Sequence, residues 1–177
     1  DVSNKLSGNS AAIDFGRRLF FSTRLSADNT KSCVSCHAPE DAFASGRVIK
    51  DNVLELDRNT LSVLNVRYNR WFGWDGVNDN LWAQSIRPIV SKREMNLPKT
   101  KLRGIIKEST FIKSYRRFFG EISGHSDELV LINIGKALAA YQETLAIVES
   151  LTAQDPTNVG WQCDLSVSHN KMGNVLR

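Results

Sequence analysis

Apolar residues recur at helical spacing along most of this chain. Ala12, Ile13, Phe15, Gly16, Leu19 and Phe20 make the first stripe, with Arg17 and Arg18 on the other side. That pattern predicts an amphipathic packing helix whose arginines face solvent. Residues 1–10 are polar and read as a frayed arm, and the turn-rich run from Ser22 to Thr30 ends the helix. A second helix is expected from about Asn80 to Arg87, capped by Asn78 or Asp79 and stopped by Pro88. Short helices follow over 101–107 and 111–119, the latter closed by Gly120. Ser126, with Asp127 and Glu128, opens a long helix whose apolar face runs through Leu129, Ile132, Ile134, Ala137, Leu138, Tyr141 and Leu145. Asp155-Pro156 then breaks the chain, and Trp161, Leu165, His169 or Met172, and Val175 stripe a last helix. The expected fold class is mainly α.

Composition narrows the picture. A chain of 177 residues, 41% hydrophobic and 24% charged, can build one ordinary core and a small appendage. Its net charge of +4, from 23 basic and 19 acidic residues, is too mild for a nucleic-acid footprint and at most favours acidic partners. No apolar run reaches membrane-spanning length.

The densest chemistry lies in Cys33-Val34-Ser35-Cys36-His37. Two cysteines two residues apart, followed at once by histidine, form the attachment pattern of a c-type haem. Thiols one turn apart can each add across a vinyl group of one porphyrin edge, and the next residue supplies the proximal imidazole. A thioredoxin-like redox pair would sit in a βαβ pattern, which is not visible here. A zinc site needs a second ligand pair, and the remaining cysteine is the distant Cys163. Attachment of haem c takes place on the export side of a membrane, so Asp1 reads as a processed or trimmed start.

A wider likeness surrounds this motif. The run Leu19 to Asp28 leading into Ser32-Cys33-Val34-Ser35-Cys36-His37 resembles the start of the bacterial di-haem cytochrome c peroxidases and the related MauG proteins. Phe43-Ala44-Ser45-Gly46-Arg47 is similar to that family's post-haem loop. Arg58-Asn59-Thr60 with Leu64-Asn65-Val66 resembles its Arg-Asn-Thr-Pro segment, with Leu61 where proline is usual. Trp74-Asp75-Gly76, the run from Leu81 to Pro88, and Arg93-Glu94-Met95 complete a likeness covering about residues 11–145. It implies a cytochrome c-like haem domain, one covalent haem c, hydrogen peroxide as substrate, a small redox protein as electron donor, and a periplasmic location.

The residues support candidate roles beside that likeness. Gln84 and Pro88 lie four apart and so share one helix face. If that face covers the open side of the haem, Gln84 offers a hydrogen bond to bound peroxide, and Pro88 a ring that cannot ligate iron. Glu94 then offers a carboxylate to move the proton that splitting of peroxide requires, the role the resemblance also implies. The plainer reading is a surface Gln and Glu beside a helix-ending proline. Trp71, Phe72 and Trp74 would bury a haem edge, or Trp74 would carry electrons, since the corresponding tryptophan of the resembled family lies between two haems. Asn59 resembles a contributor to that family's calcium site. For the sixth iron ligand the candidates are Met95, Met172, His125 and His169. In the resembled family the Glu of Glu-Met acts and the Met packs. The alternative is a mono-haem electron-transfer cytochrome with His37 and Met95 as ligands. His125 is expected to be exposed. Residues 38–58 hold no histidine, which favours an open, five-coordinate iron over a switchable one.

A full di-haem enzyme carries a second Cys-x-x-Cys-His domain, and here residues 146–177 instead resemble a tetratricopeptide-type helix pair. The expected division is a haem domain over 1–145 and a helical tail over 146–177, with the join somewhere in 137–149. The tail would contact another helical repeat or chain, because one such pair cannot bury its own face.

Overall fold

The computed structural model describes residues 3–44 and 60–145. The proposed tail, Cys163, Asn59, and the Gly46-Arg47 and Arg58-Asn59 parts of the resemblance lie outside the described residues. Among the described residues five α-helices carry the fold: α1 (Ser10–Phe20), α2 (Leu81–Val90), α3 (Lys99–Lys107), α4 (Phe111–Phe119) and α5 (Asp127–Gln142). Among the described residues strand pairing is limited to one isolated bridge, Phe72 with Asn78. The mainly α expectation holds.

Helix α5 is the axis of the molecule. Ser126 caps it by accepting from the Leu129 N–H at 3.1 Å, and Asp127 and Glu128 place negative charge in its first turn. From Val130 to Gln142 almost every residue is buried, polar Asn133 and Gln142 included, while Leu129 is exposed. The broad apolar face expected from the sequence is wider still in the fold, and only a narrow line through Leu129, Ile132 and Lys136 is left partly open. The reason is visible at two glycines. A Cβ on Gly16 of α1 would lie 2.0 Å from the Ala137 carbonyl oxygen. A Cβ on Gly135 would lie 2.4 Å from Ile86 Cγ2 and 2.7 Å from the Trp82 carbonyl oxygen of α2. Residues 135 and 137 are about 200° apart around a helix, so α1 and α2 cross α5 on opposite sides, backbone close to backbone. Helices α3 and α4 pack near its start.

The buried polar groups on α5 are satisfied across these crossings. Gln142 Nε2 donates to Ser85 Oγ of α2 at 2.9 Å, and Asn133 Nδ2 donates to Tyr115 Oη of α4 at 2.9 Å. The Tyr115 hydroxyl also lies 2.7 Å from His125 Nδ1. His125 is consequently half-buried, not exposed as its loop position suggested. The amino-terminal arm is corrected as well. Asn4 is buried and its Nδ2 donates to the Lys136 carbonyl at 2.9 Å, while Leu6 joins the core. Two inward side chains, Asn4 and Leu6, anchor this mostly polar segment.

Helix α1 follows the expected stripe, burying Ala12, Phe15, Gly16, Leu19 and Phe20. Helix α2 differs from expectation at both ends. Asn80 is its cap, accepting from the Ala83 N–H at 2.8 Å, because Asn78 is committed to the bridge with Phe72. The helix also runs past Pro88 to Val90. Proline removes one helical hydrogen bond, but the returning chain supplies two. The Met95 N–H donates to the Pro88 carbonyl at 3.1 Å, and the Leu97 N–H donates to the Ile89 carbonyl at 2.8 Å.

Candidate haem-binding site

Cys33 to Ser35 form a single 3-10 turn. The Ser32 N–H donates to Ser35 Oγ at 3.0 Å, and the Cys36 and His37 N–H groups both reach back to the Cys33 carbonyl, at 3.2 and 2.9 Å. The turn gathers both sulfurs and the imidazole. Burial pushes the Cys33 thiol up to about 12; Cys36 adds to this, and the charge of Glu94 adds less.

His37 is held from behind. Its Nδ1 lies 3.0 Å from the Phe43 carbonyl oxygen. Burial is the main effect, and it lowers the imidazole below its usual value, against the raising effect of the Phe43 and Leu61 carbonyls. A carbonyl can only accept, so the Nδ1 that faces Phe43 carries a proton. Metal-ligating histidines are held in this way through their second ring nitrogen. The loop bends sharply to provide that carbonyl: Ala42 and Phe43 are successive non-glycine residues with φ of 55° and 53°. Left-handed residues of this kind cost about 1–2 kcal/mol each. The Phe43 N–H to Ala38 carbonyl bond at 2.8 Å and the Ser62 Oγ to Ala42 carbonyl bond at 2.8 Å hold the bend. Phe20 stands beside it, 6.2 Å from the His37 ring and 5.3 Å from the Tyr141 ring. The donor set therefore fits a covalently held haem: two thiols and an imidazole steadied through Nδ1 by a backbone carbonyl, on adjoining residues.

These observations agree with a family-level match. Residues 10–154 match the family model described as di-haem cytochrome c peroxidase. The chain belongs to the di-haem cytochrome c peroxidase family. It is 31% identical over 140 residues to the methylamine utilization protein MauG of Methylorubrum extorquens, covering 78% of this chain and 39% of that protein. It is 30% identical over 141 residues to cytochrome c551 peroxidase of Nitrosomonas europaea, covering 77% and 40%. In fold it resembles the crystal structure of the diheme peroxidase BthA from Burkholderia thailandensis, with TM-score 0.71 and 25% identity over 79% of this chain and 40% of that one. The chain thus spans about two fifths of the length of these relatives. Membership in the di-haem cytochrome c peroxidase family implies covalently bound haem c. Among the described residues no helix is long and apolar enough to cross a membrane, and no group of three or more His, Cys, Asp or Glu could hold a metal ion.

The other expected positions in this peroxidase-family fold separate into two groups. Leu81, Ser85 and Ile89 are buried at helical spacing, and Gln84 and Pro88 occupy the adjoining, half-buried row of α2. The turn after α2 doubles back so that Met95 bonds Pro88, leaving Glu94 half-buried beside it. The same turn rests on the segment that enters the cysteines: Ala27 N–H donates to the Met95 carbonyl at 2.9 Å, and Lys31 Nζ donates to the Glu94 carbonyl at 3.3 Å. Pro88, Glu94 and the haem-attachment turn are thereby fastened together. Met95 itself is buried in the core cluster.

The aromatic group is divided. Phe72 is buried, whereas Trp71 and Trp74 are 52% and 57% exposed. Gly73 and Gly76, with φ of 83° and 62°, turn the loop that carries them. Sequence reasoning missed two features: the Phe43 carbonyl, which no side chain signals, and a hydrogen bond from Asn78 Nδ2 to Gln84 Oε1 at 2.8 Å.

Proposed function

We propose that this chain is the peroxide-reducing haem domain of a periplasmic cytochrome c peroxidase-type oxidoreductase. It would reduce hydrogen peroxide to water with electrons from a small redox protein. The observation that carries the reading is the fastening of the Pro88–Glu94–Met95 unit to the segment entering Cys33. It gives a carboxylate and a non-ligating proline a common anchor with the haem-attachment turn.

When bound, the haem would supply the iron and the electrons for splitting the O–O bond of peroxide. Cys33 and Cys36 would hold it covalently and His37 would ligate its iron, with the Phe43 carbonyl steadying the ring. Gln84 would offer a hydrogen bond to peroxide. Pro88, with no donor and no ligand, would leave room for substrate. A Glu94 carboxylate oxygen takes the proton from one peroxide oxygen and delivers it to the other, which leaves as water. Met95, packed in the core, acts as a wedge that seats Glu94.

The test is an absorption spectrum of the ferric protein, matured with haem, before and after hydrogen peroxide. A high-spin spectrum is expected, with a peroxide reaction that Glu94→Gln slows about 10²–10⁴-fold at unchanged haem content. A low-spin spectrum indifferent to peroxide, lost in Met95→Ala, would instead establish the His37/Met95 electron carrier.

A further inference from the structure

We propose that Asn78 is a positioning residue that sets which end of the Gln84 amide faces the haem ligand. The inference rests on the reading of Gln84 as a donor to bound peroxide and adds what makes it one. A glutamine amide has an acceptor end and a donor end of nearly the same shape. On an open helix face it turns either way, and only one orientation presents N–H groups to a ligand. Asn78 Nδ2 donates to Gln84 Oε1 at 2.8 Å. Among the described residues none accepts a hydrogen bond from Gln84 Nε2. The acceptor end is therefore taken, and the donor end is directed away from the loop.

Asn78 can do this because its own position is fixed. Its carbonyl accepts from the Phe72 N–H at 2.9 Å in the isolated bridge that closes the loop. Between the two lies Gly73 with φ of 83°, where a Cβ would meet Asp75 Oδ1 at 2.9 Å and Gln84 Oε1 at 3.3 Å. The loop thus lies directly on the acceptor end of Gln84. The Asp75–Arg87 ion pair, 3.4 Å long and half exposed, tethers it one turn further along α2. That pair contributes little energy but keeps the loop over the helix. Asn80 starts the helix with Gln84 in its first turn, so the bridge, the cap and the amide pair are set within the thirteen residues from Phe72 to Gln84.

Fluoride tests this directly, since an iron-bound fluoride accepts hydrogen bonds and donates none. Its dissociation constant would be measured by absorption on the haem-containing ferric protein, with melting curves as a folding control. Gln84→Leu is expected to weaken fluoride about tenfold through loss of one charge-assisted hydrogen bond. Asn78→Asp should weaken it by a similar factor, because a carboxylate can only accept and turns the amide over. The double variant should bind no more weakly than Gln84→Leu alone, since Asn78 acts through Gln84. Asn78→Leu, carried through the same cycle, covers an aspartate variant that fails to fold and should give a smaller loss. Wild-type affinity in Asn78→Asp with weakened binding in Gln84→Leu would overturn the inference and leave the Gln84 reading standing. Additive losses would also overturn it, showing simple repulsion or loosening. Wild-type affinity in Gln84→Leu would overturn both.

Discussion

A histidine that holds a metal through one ring nitrogen is best held by the other. In this chain the hold is a backbone carbonyl, reached only because Ala42 and Phe43 accept left-handed conformations. Backbone strain of this kind persists where the surroundings over-determine it, and here it places the carbonyl that steadies the His37 ring. A second residue-scale device lies in the segment that enters the cysteines. Asp28 accepts from the Thr30 N–H at 2.9 Å and from Ser26 Oγ at 3.0 Å. The Thr30 backbone first, then the Thr30 and Ser26 side chains, bring its carboxyl from 3.8 down to about 2. A carboxyl depressed in the folded state stabilises the fold above its unfolded value and loses that contribution as pH falls through the folded one. The melting temperature of the wild type should therefore converge on that of Asp28→Asn as pH drops from about 4 to about 2. A gap that stays constant over this range would show that the carboxylate adds nothing. The Cys-x-x-Cys-His turn was legible from sequence because its members are adjacent. The Phe43 carbonyl was not, because every residue has one.

At the scale of elements, the molecule depends on two close helix crossings on α5. The Gly16 crossing is the tighter, since the obstacle to a side chain there is the Ala137 backbone carbonyl, which has no rotamer to change. Gly16→Ala should cost about 3 kcal/mol or more by overpacking, read as a fall in melting temperature. Gly104→Ala is the control. It lies in α3 with no atom near its added Cβ, and should be neutral or stabilising by up to about 1 kcal/mol, because alanine is the better helix former. Equal effects of the two substitutions would remove the crossing argument. The positions of the helices were readable from apolar spacing and caps such as Ser126. Their packing was less so: Gly135, Ala139 and Ala140 of α5 carry weak hydrophobic signals, yet they are buried where neighbours come close. The end of α2 was misjudged because the bonds that carry it past Pro88 come from Met95 and Leu97, outside the helix.

Over the whole molecule, charge is unevenly spread. Residues 91–117 hold nine of the 23 basic residues and two of the 19 acidic ones, giving +7 there and −3 over the rest of the chain. Among the described residues Arg103 reaches Asp127 at 2.7 Å, Arg116 reaches Glu121 at 3.1 Å, and Lys99 pairs with Glu128. The net excess of positive charge gives a positive field to the stretch that includes Glu94. Such a field steers anionic partners from a distance that salt shortens, from about 30 Å at 0.01 M to about 8 Å at 0.15 M. On the proposed peroxidase reading, reduction of the peroxide-treated haem protein by hexacyanoferrate(II) should slow as salt is raised, while reduction by cationic hexaammineruthenium(II) should quicken. Stopped-flow traces that respond alike to salt for both reductants would rule out a steering role for this charge.

The sequence by itself determined the chemistry that needs only neighbours: two thiols and an imidazole on one turn, helices from apolar spacing, caps from small polar residues. It also placed Gln84 and Pro88 on one helix face and Glu94 just beyond, since these follow from periodicity and a short turn. Tertiary structure decided what distant partners must supply. It set which carbonyl steadies His37, which residues of the Trp71–Trp74 loop are buried, and which end of the Gln84 amide is occupied. The reason is one of range. A turn or a helix face is fixed by atoms a few residues apart, whereas the direction of a ring or an amide is fixed by whichever backbone the fold brings against it.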